Sequence, residues 1–489
     1  MLRSLAGVSC VVLAMALGIG VPQFASSSAE GQSDNLGGKS TLAYGDVSGI
    51  LLKNDVDELT KISHRSETAE NQYWGRISGT TADQETEKWL LDRFETLGLK
   101  DVHIQQFSLP PQWFPTLWKV AASDLNTTVE LTSIQPVLGS PGTAGVTVSA
   151  DAVYVGLGSS MEFAGRDVKN RAVVISTVPA GSIVRHSAAA NGAITRAIEK
   201  GASVIILIVD LPGNARSQLE TAGGSPPTVP TFSLGAGDGA QLLGMMERSK
   251  VTLRVRLTVE QRAGLATGSV WGVLPGTSDE QILIIAHHDS YFEGADDNAT
   301  GLVTLLGLAR HFAQQSPSDR RRTITFVATP GHHSGMLGVN WLRDHMDFAR
   351  TALIINCEHT ASRQTYVAPI IDRMNGPQVG TVLLKSNVTA PRWWYVGGSS
   401  RLRQLTLDAF QDFGVGILDQ PEPVPLGELW ALYQKAPSLQ LIEAPLIYHT
   451  DLDRSDMVLA EGLEHATQAF ANIIDMVNQF PLQALRAVP

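Results

Sequence analysis

The stretch Ile282-Leu283-Ile284-Ile285-Ala286-His287-His288-Asp289 decides the fold. An unbroken apolar run ends on two imidazoles and a carboxylate. A short run of this kind reads as a strand buried on both faces, as in parallel sheets covered by helices. Thr323–Ala328, Ala352–Cys357 and Leu439–Ile442 have the same form, and helical patterns lie between them, as at Leu302, Leu305, Leu306, Ala309 and Ala313. This alternation predicts an α/β domain: a mixed, mostly parallel sheet flanked by helices. In such sheets ligands bind beyond the carboxyl ends of the strands.

Polar clusters stand at those ends. His287-His288-Asp289 is followed by the loop Gly294-Ala295-Asp296-Asp297-Asn298, then by His332-His333, Glu358-His359 and Tyr448-His449-Thr450-Asp451. The chain has 12 histidines, and His287, His288, His332, His333, His359 and His449 all fall at these ends. A lone histidine at a strand end is usually structural or exposed. Their coincidence at four ends points to metal, since imidazole nitrogen and carboxylate oxygen suit zinc and related ions. Asn298 or Thr300 also suits a cap for the helix starting near Leu302.

Three motifs in order, Ala286-His287-His288-Asp289-Ser290, Gly294-Ala295-Asp296-Asp297-Asn298-Ala299-Thr300-Gly301 and Tyr448-His449-Thr450, resemble the co-catalytic zinc metallopeptidases. That family includes bacterial aminopeptidases, glutamate carboxypeptidases and glutaminyl cyclases, and the resemblance runs from about Leu51 to Phe480. It implies a zinc exopeptidase-like fold holding one or two zinc ions. It also implies roles: His287 and Glu358 on one metal, His449 on the other, Asp297 bridging both, and Asp289 orienting His287. The family usually has two consecutive glutamates where this chain has His332-His333. On this resemblance His333 replaces a metal ligand and His332 the general base. Losing those carboxylates makes the site more cationic, which lowers the pKa of bound water and loosens the second metal. Glu428 offers a carboxylate for a substrate amine. Trp393-Trp394-Tyr395 either walls a pocket or packs.

Upstream of this half, from about Gln135 to Val259, short apolar runs alternate with Gly and Pro turns. Gly165–Ile175, Ala197–Ala202 with the strand after it, and Val229-Pro230-Thr231-Phe232 resemble a β-rich protease-associated domain inserted in the catalytic one. The expected division is a signal peptide at 1–29, a flexible lead-in at 30–49, a metallopeptidase domain at 50–134 and 261–482, and the insert at 135–260. In the first part Val56–Ile62 reads as helix. Thr81 and Gln84 form a capping box for another helix, Gly98 stops it, and Val102–Leu109 reads as a strand.

The N-terminus has Arg3, an apolar run from Val8 to Val21 and small residues from Ala25 to Ala29. The run is shorter than the ~20 residues of a membrane span, so a cleaved export signal and a secreted or periplasmic protein are expected, with no span after cleavage. Cys357 is the one cysteine outside this signal, so no internal disulfide is expected. The 489 residues call for more than one core. Net charge of −11 argues against nucleic acid as a partner. Arg320–Arg322 reads as a solvated strand entry. The expected function is an exported metal-dependent exopeptidase acting on a peptide or other amide. The alternatives are a catalytically inactive binding relative and a non-peptide amide hydrolase or cyclase.

Overall fold

The structure, a computed structural model, describes residues 44–68, 71–179, 186–221, 225–369, 381–443 and 445–486. The expected signal at 1–29 and the lead-in up to residue 43 lie outside them. Among the described residues no helix is long and apolar enough to cross a membrane.

The first sheet has seven strands in the order Lys100–Ser108, Ala266–Leu274, Thr323–Thr329, Gln281–His287, Thr351–Cys357, Ser438–Ile442 and Trp393–Gly397. The run Ile282–Ala286 sits at its centre and is fully buried. Side chains alternate between the faces. Ile282, Ile284 and Ala286 pack with the helices Gly49–Arg65, Gly301–Ala313 and Ala460–Asn478. Leu283 and Ile285 pack with Leu337–His345 and Leu429–Leu432. Each such Ile or Leu stabilises the fold by roughly 1.5–3 kcal/mol, which is why the run is apolar on both faces.

The central strands are parallel, with His287 beside Thr329, Ile285 beside Asn356 and Cys357 beside Leu441. Their carboxyl ends therefore finish along one edge, and every polar cluster of the sequence projects from it. The outer pairings, through Lys100–Ser108, Ala266–Leu274 and Trp393–Gly397, are antiparallel, so the sheet is mixed.

A second sheet of eight strands spans residues 112–262. It takes in Gln112–Ser123, upstream of residue 135. Toward one side it holds Ala172–Thr177, Val204–Val209 and Thr231–Gly235, all parallel. One face, with Ala172, Val174, Ile206 and Phe232, shares a core with Tyr73, Trp74, Tyr291 and Phe292 beside the first sheet. The loop after Val204–Val209 also reaches across, because Ser217 forms a β-bridge with Thr450 and Gln218 N donates to the His449 carbonyl at 2.8 Å.

Two local expectations are corrected. The helix Thr81–Thr96 is capped by Thr80, whose Oγ1 accepts from Asp83 N at 3.4 Å. Asp83 Oδ2 in turn accepts from Gly79 N at 2.7 Å. Gln84 is exposed, so the reciprocal cap lies one residue earlier than Thr81–Gln84. Arg320 and Arg322 are not a solvated entry, being 4% and 0% exposed. Arg320 donates to the Phe312 carbonyl at 2.9 Å, and Arg322 to those of Val477 and Phe480 at 2.6 and 2.7 Å. Phe312 and Val477 stand in the last turns of two helices and Phe480 just beyond the second, so the guanidinium groups act as C-terminal caps.

Candidate metal centre

His287 closes its strand with its ring fully buried. Its Nδ1 lies 3.1 Å from the Asp289 carbonyl oxygen and 3.7 Å from Asp289 Oδ1. A carbonyl only accepts, so this network places the proton on Nδ1 and leaves the lone pair on Nε2. The Asp289 carboxylate accepts the backbone N–H groups of His332 and His333, each at 3.0 Å. One side chain thereby ties the end of Gln281–His287 to the turn that follows Thr323–Thr329. Gly331 opens that turn at φ 72°, a left-handed position that glycine occupies without a Cβ clash.

Asp297 sits on a loop with almost no freedom. Asp453 accepts the N–H groups of Asp296 and Asp297 at 2.8 and 3.0 Å. The Asn298 amide donates to the carbonyls of His287 and Cys357 at 3.3 and 3.2 Å, and its oxygen accepts from Gly301 N and His359 N. Arg76, fully buried, donates to the carbonyls of His288, Glu293 and Gly294.

The side chains converge on the Asp297 carboxylate. Oδ1 is 3.3 Å from His287 Nε2 and 3.1 Å from His359 Nε2. Oδ2 is 3.1 Å from His449 Nε2 and 3.7 Å from His333 Nε2. Glu358 Oε1 is 4.0 Å from His287 Nε2. The Nε2 atoms of His287, His333 and His449 are buried and make no hydrogen bond. Each such orphan costs ~1–3 kcal/mol. Three of them around one carboxylate is a donor set suited to a divalent metal. The donor atoms of Asp297, His333 and His449 lie within 4.8 Å of one another, as do those of His287, His332 and Glu358, and those of His287, Asp297 and His359.

The charges suit the same use. Burial alone would raise the Asp297 carboxyl, but His359, His449 and His333 hold it well below the usual range. Burial pushes His333 down to about 4. Burial, reinforced by the positive fields of His287 and His333, takes His332 well below the usual imidazole value. Both rings are therefore neutral at neutral pH. His359 differs: burial would lower it, but Asp297 beside it raises it to about 10.

All the residues singled out in the sequence, His287, Asp289, Asp297, His332, His333, Glu358 and His449, lie in this one cluster. His359, Asp453 and Arg76 carried no expected role. His359 follows Glu358 directly, and φ 47° at this residue accompanies the turn after the strand. Asp453 stands just beyond the His449 motif; Arg76 gave no signal in the sequence. Glu428 is corrected. It is 0% exposed, and its Oε2 accepts from Thr329 Oγ1 at 2.5 Å. Burial raises its pKa to about 8, and a carboxyl so enclosed leaves a substrate amine no open approach. Trp394 packs, with Nε1 donating to the Leu418 carbonyl at 2.8 Å.

Residues 269–385 match the family model of Peptidase family M28. Over that stretch the chain is similar to the M28 peptidases. That segment holds the sheet centre and every candidate donor except His449. The same architecture occurs in a Peptidase M28 precursor from Shewanella amazonensis, 17% identical with a TM-score of 0.68, over 93% of this chain and 98% of that one. A zinc aminopeptidase from Bacillus subtilis is 18% identical with a TM-score of 0.63, over 90% and 98%. An aminopeptidase from Aneurinibacillus is 19% identical with a TM-score of 0.57, over 91% and 96%. No curated protein matches the chain closely enough to count as a relative. The match over this segment bears out the resemblance to co-catalytic zinc metallopeptidases; the solved structures agree in fold.

Proposed function

We propose that the chain is an exported zinc-dependent exopeptidase, aminopeptidase-like, that hydrolyses the peptide bond beside a free N-terminus. The observation that carries this reading is the trio of orphaned Nε2 atoms, on His287, His333 and His449, around Asp297. His287 and Glu358 would hold one ion, His333 and His449 a second, and Asp297 would lie between them. Zinc bound there lowers the pKa of water toward ~7 and polarises a scissile carbonyl.

The remaining steps belong to the chain. His332 Nδ1 is buried and has no hydrogen-bond partner, and its ring stacks on His287 at 4.0 Å and 17°. A neutral imidazole at that place can take the proton of the attacking water and return it to the leaving amine. Asp289 holds the His287 tautomer and the turn bearing His332. The Tyr291 ring packs 4.7 Å from that of His333. Export rests on the apolar run within 1–29. The protease-associated reading of the second sheet rests on the quoted motifs and on the separate core of its other face, with Val173, Ile175, Ile205 and Leu207.

Metal analysis of the purified protein, with turnover of aminoacyl chromogenic amides, tests the proposal. Bound zinc and turnover are expected; a protein that takes up no zinc even when it is added back overturns it. His332→Ala should lower kcat by ~10²–10⁴-fold and leave KM nearly unchanged, and unaltered kcat would remove His332 as the base. One observation favours a second reading. His332-His333 stand where the motif otherwise has two glutamates, and zinc without turnover on any amide would identify a metal-stabilised binding protein.

A further inference from the structure

The sealing of Glu428 leaves an aminopeptidase-like site without the amine receptor expected from its own half of the chain. The second sheet supplies a substitute. Its loop 211–221 runs antiparallel to the His449 loop and is fastened there. Arg216 N donates to Asp451 Oδ1 at 3.0 Å, and its Nε to Oδ2 at 3.1 Å. Ser217 bridges Thr450, and Gln218 N donates to the His449 carbonyl. Two residues further on, Glu220 lines a small cavity together with Tyr448 and His449. Val209, Leu211 and Leu446 line the same cavity. It therefore joins a candidate metal ligand, a carboxylate and an apolar wall.

We propose that Glu220 anchors the free ammonium group of the substrate, and that the adjoining apolar wall takes the first side chain. The assignment rests on the exopeptidase reading above. Among the described residues no cation forms an ion pair with Glu220. Burial raises its pKa, and His333 and Asp297 are near enough to act on it electrostatically. A half-buried carboxylate without a countercharge is costly. An entering ammonium supplies that charge, while a blocked N-terminus does not. The inserted sheet thus sets specificity from across the cleft, although the metal donors all come from the first sheet.

The test compares binding of 3-methylbutan-1-amine, a cation, with 3-methylbutan-1-ol, its neutral isostere, to the full-length zinc-loaded protein by calorimetry. The wild type should bind the amine ~10-fold or more tightly, the scale of a hydrogen bond to a charged group. Glu220→Gln should abolish that preference, leaving affinity for the alcohol and the melting temperature unchanged. Glu247→Gln, on an exposed helix of the same sheet, should keep it. A wild type without the preference, or a Glu220→Gln protein that keeps it, overturns the assignment. Turnover of leucyl-4-nitroanilide separates this from the parent reading. If the preference exists and is lost in Glu220→Gln while no amide is cleaved, the exopeptidase reading fails and the amine anchor stands. Cleavage with an unchanged preference means the reverse.

Discussion

His287 and His288 are consecutive residues at the end of one strand, and each is buried among carboxylates. Alternation along the strand sends them to opposite faces. Behind the sheet, His288 Nε2 meets the Gly268 carbonyl at 3.0 Å and Nδ1 lies 3.2 Å from Asp83 Oδ1. Glu87 accepts from Gly268 N at 2.6 Å and from Thr267 Oγ1 and Gln106 Nε2 at 3.3 Å. Asp83 accepts from Gly79 N. The donor atoms of Asp83, Glu87 and His288 lie as close together as those of the front cluster. Yet the rear cluster has a single imidazole, whose Nε2 is engaged by a carbonyl and whose Nδ1 faces only Asp83 Oδ1, and its carboxylates accept from Gly79 N, Gly268 N, Thr267 Oγ1 and Gln106 Nε2. In front, three imidazoles turn an Nε2 without a hydrogen bond toward one carboxylate. Residue type and proximity do not separate a metal centre from a structural ion pair; the accounting of donors and acceptors does.

Truncation of each histidine tests the two assignments directly. His287→Ala should abolish stoichiometric zinc and lower kcat/KM by more than about 10³-fold, because metal activation contributes several kcal/mol. His288→Ala should leave zinc stoichiometry intact. Its cost falls on stability, by roughly 3–5 kcal/mol, since it strands the buried Asp83 carboxylate. Metal analysis and thermal melting of the two variants read both effects. Zinc loss in His288→Ala with a melting temperature like the wild type would place the metal on the wrong face.

Asp289 lets the comparison be sharpened without deleting a ligand. Its carboxylate faces His287 Nδ1 and holds the turn of His332 and His333. Asp289→Asn keeps the shape but gives up charge and half of the acceptor capacity. Zinc affinity or turnover should fall by ~10–100-fold, measured by competition with a chelator and by steady-state kinetics. An unchanged affinity would mean that the backbone carbonyl alone orients His287.

The front cluster was legible because its members stand at the ends of apolar runs, where a strand pattern and a ligand pattern coincide. The parallel order of the central strands followed from runs buried on both faces. Glu428 was misread for the opposite reason. Its neighbours in sequence, Gly427 and Leu429, say nothing of Thr329 and Glu358, which enclose it only after the chain has folded back. Arg320 and Arg322 were misread likewise, since their acceptors are helix-terminal carbonyls elsewhere in the chain. Glu220 carried no motif. Its significance comes from the pairing of 216–218 with 449–451, a long-range register that no local pattern encodes.

Acid and alkali should act on different histidines in the metal-free protein. His288 is pushed by burial downward but by Asp83 further upward, to about 9, above its ordinary value of 6.5. A group with a raised folded pKa stabilises fully below its unfolded pKa and loses that contribution as pH rises through the folded one. Its loss should run from about pH 6.5 to 9. Burial lowers His333 to about 4, so the folded state resists a proton that the unfolded chain accepts, and stability should fall as pH drops from 6.5 toward 4. Each limb should be worth on the order of 1–3 kcal/mol. Melting temperatures in chelator at pH 5, 7 and 9 give both. His288→Gln should shrink the alkaline limb, to which His359 also contributes, and His333→Asn the acid limb, which His332 shares. Zinc should suppress the acid limb until the imidazoles release it. If His288→Gln flattened the acid limb instead, the rear histidine would be neutral in the fold, and the ion pair that separates it from the front cluster would not exist.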